Sequence, residues 1–359
     1  FRDRGVQVKV VMYPLYRTAY RSYDPAEVRR FLDRLTDITD FYDFTYTRLS
    51  EEPRYFYDTG HYRNEVGDMM IRKMFGVEGY VPEDFGIYVE KGSAYSIAEP
   101  DSEQTVPVQA NYERKIKVLI LHHVDDEATN SAVITEARLR ELFDTIARKG
   151  YRVVRMTDIE AFVKHGVELP EKSVLLTFDD GYLSNYTAVY PLLKEYGYSA
   201  AFFPIGVSIG KDEYKDTGAP IIPHYSIEQM KEMKDSGLVE FGTHGFDVHQ
   251  SAKWEPGRAR VSLLKWEDES EADYIEFLKS DFKRFEQAVA PLELEIRAMA
   301  YPLGEHDVLS DAIAVEQGIE LSFTTRHGDT SLLKGLYQSM FNMNRINIDM
   351  TVDLDWVLD

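Results

Sequence analysis

Four short stretches of the chain carry residue types that could work on one another. His122-His123 follows IKVLIL (116–121), and Asp179-Asp180-Gly181 follows SVLLTF (173–178). Thr243-His244-Gly245-Phe246-Asp247-Val248-His249 follows LVEFG (238–242), and Tyr301-Pro302-Leu303-Gly304 follows a short apolar run at 297–300. Two adjacent carboxylates repel, and a cation is the usual compensation, a metal being the strongest. One Asp and two His make a three-ligand set for a catalytic zinc and leave a fourth position for water. The chain has no cysteine, which excludes a disulfide scaffold, a zinc finger and a thiol nucleophile. Any metal must therefore be held by His and carboxylates. Asp179-Asp180 alone reads as readily as a solvated turn; the histidine pair at another strand end shifts the balance toward ligands. His165, His224, His306 and His327 are expected at the surface or in ordinary hydrogen bonds.

Such groups need elements to position them. From residue 116 onward strand and helix signals alternate. Strands are expected at 116–121, 151–155, 173–178, 199–204, 238–243, 297–301, 320–325 and 344–348. Helices are expected at 134–148, 184–196, 226–236, 270–289 and 307–317. Short apolar strands alternating with helices indicate a parallel α/β sheet or barrel, whose working groups gather where strands end. The number of strands in this length favours a barrel. Earlier in the chain, 7–13 (QVKVVMY) reads as a buried strand. Residues 25–39 read as a helix with Val28, Phe31, Leu32 and Leu35 on one face, started by Asp24-Pro25. A second helix is expected from Asn64 to Phe75. Between 85 and 113 the pattern fades into a polar, proline-containing stretch, which places a boundary between 1–110 and 111–359.

Taken in order, TFDDG (177–181), THGFDVH (243–249), AYPLG (300–304), FTTRHG (323–328) and NRI (344–346) resemble the motifs of the polysaccharide deacetylases, the NodB-homology family also called carbohydrate esterase family 4. The resemblance implies a distorted (β/α)7-type barrel and metal-dependent removal of N-acetyl groups from a carbohydrate. It implies Asp179 as general base and Asp180, His244 and His249 as metal ligands. Zinc is the first choice of metal, and cobalt, nickel or iron would suit the same ligands. The histidines are spaced His-x4-His, where most of the family has three intervening residues. Residues i and i+5 lie about 140° apart on an ideal helix, so this segment is not one regular turn. Gly245 would let it bend. The longer spacing and the leader VLILHHV (118–124) resemble the branch that deacetylates poly-β-1,6-N-acetylglucosamine, a biofilm exopolysaccharide, with Leu121 standing in for a Tyr and His122 at the His position. Ala300 replaces the Arg that usually tethers the base. Leu303 replaces a Tyr, and its backbone N–H would serve the oxyanion. His122 is the expected acid, with His327 as runner-up, because the usual late Leu-x-His motif is not recognisable.

FYDTGHYRNEVGDMMIRKMFG (56–76) resembles the last block of an SGNH-type hydrolase, in which Asp58 would orient His61 toward a serine. No Gly-Asp-Ser-like block precedes it, so this smaller α/β domain is expected to be cut short and no esterase activity is assigned. His61 packing or capping at a helix start is an equally good reading.

The net charge is −21, from 41 Lys+Arg against 62 Asp+Glu. That opposes general binding to nucleic acid, which needs clustered cations. No apolar run approaches the ~20 residues of a membrane span. The chain starts FRDRGVQVKV without an initiator Met, which reads as a piece of a longer protein whose missing segment carried an export signal or anchor. The expected location is extracellular or at the cell surface, and the expected partner is an N-acetylated polysaccharide. The competing readings are a carbohydrate-binding scaffold with a weak deacetylase-like domain, and a bifunctional protein with an O-acyl esterase or transferase domain.

Overall fold

A computed structural model describes residues 8–51, 55–56, 60–79, 81–82, 84–94 and 113–359. They fall into two compact units. The first comprises Phe1–Glu113 with Ala161–Glu168 and Leu333–Tyr337; the second comprises Arg114–Glu160, Leu169–Leu332 and Gln338–Asp359. The two later stretches of the first unit were not foreseen by a split at a single boundary.

In the first unit, β1 (Val10–Met12) pairs in parallel with β2 (Phe41–Asp43), and β3 (Ile87–Val89) runs antiparallel to β2. A parallel pair needs a crossover, and α1 (Pro25–Ile38) supplies it. The helix starts as its sequence dictates: the Asp24 carboxylate accepts from the Ala26 N–H, and Pro25 occupies the first turn. Leu32 is buried against Phe41 and Val89, with Val28 and Leu35 packed on them. Phe31, expected on the same buried face, stays 52% exposed. Next, α2 (Asn64–Phe75) ends at Gly76, whose φ of 66° closes the helix in the left-handed conformation. Its Val66, Met69 and Met70 pack with Phe44, Tyr55 and Phe85, and Leu333 and Leu336 join that cluster.

In the second unit the main strands are β4 (Glu113–Leu121), β5 (Ser173–Asp180), β6 (Ala200–Pro204), β7 (Val239–Phe241), β8 (Ala298–Ala300), β9 (Leu321–Phe323) and β10 (Ile346–Asn347). These pair in parallel. The order β7-β6-β5-β4-β10 runs through one seven-stranded sheet, in which the short strands Arg152–Val153 and Thr330–Leu333 also pair with β5 and β4, and β8 pairs with β9. Single bridges, Thr243 to Met299 and Phe323 to Met343, carry the pairing from the end of β7 to β8 and from β9 toward β10. All eight residues of β5 are buried, as expected for a central parallel strand covered on both faces. The intervening helices are α3 (Glu136–Arg148), α4 (Tyr190–Tyr196), α5 (Ile227–Asp235), α6 (Glu271–Val289) and α7 (Val308–Glu316). Four of them begin at side-chain caps, Thr135, Ser226, Ser270 and Asp307.

The expected helix 184–196 is split: residues Asn185–Val189 form a π-helical turn before α4. Pro191 has no N–H to continue a regular ladder through this point. A helix at Met156–His165 and the short strands β2 and β3 had no expectation in the sequence. Among the described residues, no helix is long and apolar enough to cross a membrane.

Candidate metal centre

The chemistry-bearing residues gather at the carboxyl ends of parallel strands, where open and closed α/β sheets place their sites. At the end of β5, Asp179 is 1% exposed and Asp180 is also buried. Asp180 holds a left-handed backbone, with φ at 70°, and Gly181 follows at 91°. A Cβ on Gly181 would sit 2.8 Å from the Pro204 side chain, so only glycine fits there. A non-glycine residue in this region costs about 1 kcal/mol or more, and such strain persists where the surroundings hold it.

His244 follows β7. Its N–H donates to the Pro204 carbonyl at 3.1 Å, while the preceding Thr243 exchanges backbone hydrogen bonds of 2.9 and 3.0 Å with Ala298 and Ala300. The ligand-bearing turn is thus clamped between β6 and β8. The segment 244–249 contains no regular helix, as the spacing of its histidines requires. Gly245 has φ of 81°, and a Cβ there would strike Val248. The curl is held from outside by Asp281 of α6, whose two carboxylate oxygens accept from the N–H groups of Phe246 and Asp247 at 2.7 Å each.

This geometry brings one ligand atom each from Asp180, His244 and His249 within 4.8 Å of one another. His244 Nε2 lies 3.5 Å from Asp180 Oδ1, and the two imidazole rings stand nearly perpendicular with centroids 5.2 Å apart. His244 Nδ1 is 2.8 Å from the Ala300 carbonyl and His249 Nδ1 is 3.0 Å from the Val261 carbonyl. A carbonyl can only accept, so each Nδ1 carries the proton and each Nε2 presents its lone pair. Burial lowers His244 to about 4, despite the nearby charges of Asp179 and Asp180, so its ring is neutral at pH 7. Burial pushes Asp180 up, but His122, His244 and His249 outweigh it and hold the carboxyl below its ordinary range. A neutral His244 imidazole beside an ionised carboxylate is in the protonation state a divalent metal needs, and this donor set fits zinc and its borderline neighbours.

Asp179 points to a different partner. Arg345 Nη1 and Nη2 each donate to one of its oxygens at 2.8 Å, and Arg345 Nε donates to the Thr324 carbonyl. This fully buried fork holds Asp179 in place, although position 300 carries an alanine and not an arginine. Burial raises the Asp179 pKa, and Arg345 with His244 and His122 more than reverses it. His122, half-buried after β4, is among the charges that lower both Asp179 and Asp180. His123 instead meets Ser184 at 2.8 Å and Asp125 at 3.4 Å. His327 is exposed and lies against the Trp356 ring, with centroids 6.2 Å apart. Leu303 is 52% exposed and left-handed, with φ of 58°.

His224 is half-buried and hydrogen-bonds to the backbone at Ile222 and Lys211, the second of its two expected places. Burial lowers its pKa, its ring lies 5.2 Å from that of Tyr182, and its Nδ1 is buried without a hydrogen-bond partner. The Tyr182 phenol is in turn held up by burial and by Asp180. His306 behaves as expected, stacked on Tyr301 and bonded to Asp311. Of the pair in the first unit, Asp58 lies outside the described residues and His61 is exposed.

Residues 166–322 match the polysaccharide deacetylase family. The chain is 30% identical over 230 residues to the poly-beta-1,6-N-acetyl-D-glucosamine N-deacetylase of Escherichia coli K12, covering 58% of this chain and 33% of that protein. It thus spans about a third of the length of that relative. Among solved structures, a de-N-acetylase from Aggregatibacter actinomycetemcomitans superposes with a TM-score of 0.58 at 26% identity, over 67% of this chain and 97% of that one. IcaB from Ammonifex degensii superposes with a TM-score of 0.57 at 26% identity, over 68% of this chain and 96% of that one. The chain therefore carries a polysaccharide deacetylase domain, with relatives named as poly-β-1,6-N-acetylglucosamine deacetylases.

Proposed function

We propose that residues 111–359, read as a distorted (β/α)7-type barrel, hydrolyse N-acetyl groups from an extracellular polysaccharide containing N-acetylglucosamine, with a divalent metal held by Asp180, His244 and His249. The observation that carries this reading is the buried Asp179–Arg345 pair directly beside the three ligands. A structural metal site has no need of an ionised, unligated carboxylate at its edge. A bound metal would polarise the acetamide carbonyl and lower the pKa of water toward ~7.

The chain's own residues would do the rest. Asp179, kept ionised by Arg345, accepts a proton from water as its oxygen bonds to the acetyl carbon. The Leu303 N–H supports the charge that grows on the carbonyl oxygen. His122 donates a proton to the amide nitrogen as the C–N bond breaks, leaving acetate and a glucosamine unit. Zinc is the metal of choice, with cobalt, nickel and iron as alternatives.

The test is acetate release from a β-1,6-linked N-acetylglucosamine oligomer. Chelation should abolish release and zinc should restore it. Asp180→Asn should lower both bound metal and turnover by more than ~10³-fold, the scale of losing a metal's contribution. Full turnover by Asp180→Asn in metal-depleted buffer would overturn the assignment.

A further inference from the structure

The first unit contains a cleft of about 450 Å3 that the deacetylase chemistry does not use. It lies at the carboxyl ends of the parallel strands β1 and β2, where Met12, Tyr13, Asp43 and Thr45 line it. That crevice is where ligands enter open α/β sheets.

Its walls are aromatic and are left open to water. Tyr13, Tyr23 and Phe31 line it, and each is 52% exposed. Tyr20 and Tyr46 add a stacked pair, with centroids 4.7 Å apart and planes 30° apart. This explains why Phe31 does not join the core beneath α1: it faces the cleft instead.

Its charge is of one sign. Glu27, Asp43 and Asp84 are on the wall, and no Lys, Arg or His is among the described residues lining it. Asp43 Oδ1 already accepts from the Thr45 N–H and hydroxyl, which fixes the carboxylate in place. Glu27 lies 3.6 Å from Arg30 across an exposed helical pair, an interaction of little strength. Asp84 is exposed.

Flat aromatic faces suit the C–H face of a pyranose ring, and both the faces and the carboxylates attract an ammonium. A neutral acetamido sugar would use only the first feature, and an acyl chain would oppose the second. We propose that this cleft binds a glucosamine unit, a pyranose bearing a free ammonium, within a deacetylated glycan. The proposal rests on the deacetylase reading for the origin of its ligand. It gives the first unit a role in holding the product strand.

The experiment uses the whole chain carrying Asp180→Asn, so that nothing is turned over. A β-1,6-linked glucosamine tetrasaccharide and its fully N-acetylated counterpart are titrated calorimetrically into that protein and into versions that add Tyr23→Ala or Asp84→Asn. Both substituted side chains are exposed, so the core beneath them is kept. The glucosamine oligomer should bind, and each cleft substitution should weaken it at least ~5-fold, the scale of one cation–π or charge contact. Binding of the N-acetylated oligomer should be indifferent to Asp84→Asn. Unchanged glucosamine affinity in the two cleft variants would overturn the proposal, as would an equal loss for both oligomers in Asp84→Asn. Acetate release by the zinc-loaded wild-type chain is measured separately. Its absence would remove the deacetylase reading and leave the cleft result standing on its own.

Discussion

The fork between Arg345 and Asp179 makes an anion where burial alone would make an acid. Burial is the largest influence on Asp179 and acts upward, yet the carboxyl ends below its ordinary range. Arg345→Met should therefore let the pKa rise, and the acidic limb of the kcat profile should move to higher pH. Turnover at pH 7 should fall by about 10²-fold, the usual scale of losing general-base catalysis, while bound metal stays near one per chain. Arg345→Lys should recover part of the loss, since a point charge cannot make two parallel bonds. A pH profile that keeps its wild-type acidic limb in Arg345→Met would show that Arg345 only fills space. His122→Ala should likewise lower kcat with metal content unchanged, and His327→Ala should alter neither; the reverse result would move the acid role to His327. Asp180, His244 and His249 were legible in the sequence because each sits in a short motif after an apolar strand. Arg345 was not assigned, because nothing local ties the arginine of NRI to an aspartate two strands away around the sheet.

At the scale of elements, the curl between His244 and His249 depends on a helix that carries no ligand. Asp281 of α6 caps two of its amides, and burial pushes this carboxyl from 3.8 up to about 6. A folded pKa above the unfolded one stabilises the protein fully below about pH 3.8, and that stabilisation is lost as pH rises through about 6. Asp281→Asn removes the titration and weakens the cap. It should cost about 1–2 kcal/mol at pH 5, as a weakened buried hydrogen-bond pair does. The gap to wild type should then shrink by about 1–1.5 kcal/mol between pH 5 and pH 8, because about one unit of the shift lies above pH 5, at 1.36 kcal/mol per unit. Urea denaturation of the metal-free chain checks this through tryptophan emission, because Trp254, Trp266 and Trp356 all lie in the second unit. A gap independent of pH would mean that Asp281 is ionised throughout. Most elements of the second unit were legible, because each main strand is an apolar run and four of the helices α3 to α7 have a cap residue ahead of their first turn. Two elements elsewhere in the chain or at the edge of that unit show why others were not. Phe41–Asp43 is too short and too polar at its end to show a strand period. Met156–His165 mixes apolar and charged residues over too few turns to declare a face.

Across the whole molecule, the sequence has a charge of −21. By itself that charge excludes nucleic acid better than it selects a glycan. The proposed deacetylase activity would give it a sharper consequence, because each acetyl group removed from such a substrate uncovers one ammonium. On that reading a partly deacetylated polymer should be attracted to the chain and a fully acetylated one should not. Screening shortens the reach of such attraction from about 30 Å at 0.01 M salt to about 8 Å at 0.15 M. The KM for a half-deacetylated oligomer should accordingly rise about 3-fold or more over that range, while the KM for the fully acetylated oligomer stays level and both kcat values hold. In Asp84→Asn the net charge changes only from −21 to −20, so the salt slope should persist even though the cleft is weakened. A slope that vanished in this one variant would place the attraction in the cleft alone. Equal salt dependence for both substrates would instead reduce the acidity to a matter of solubility.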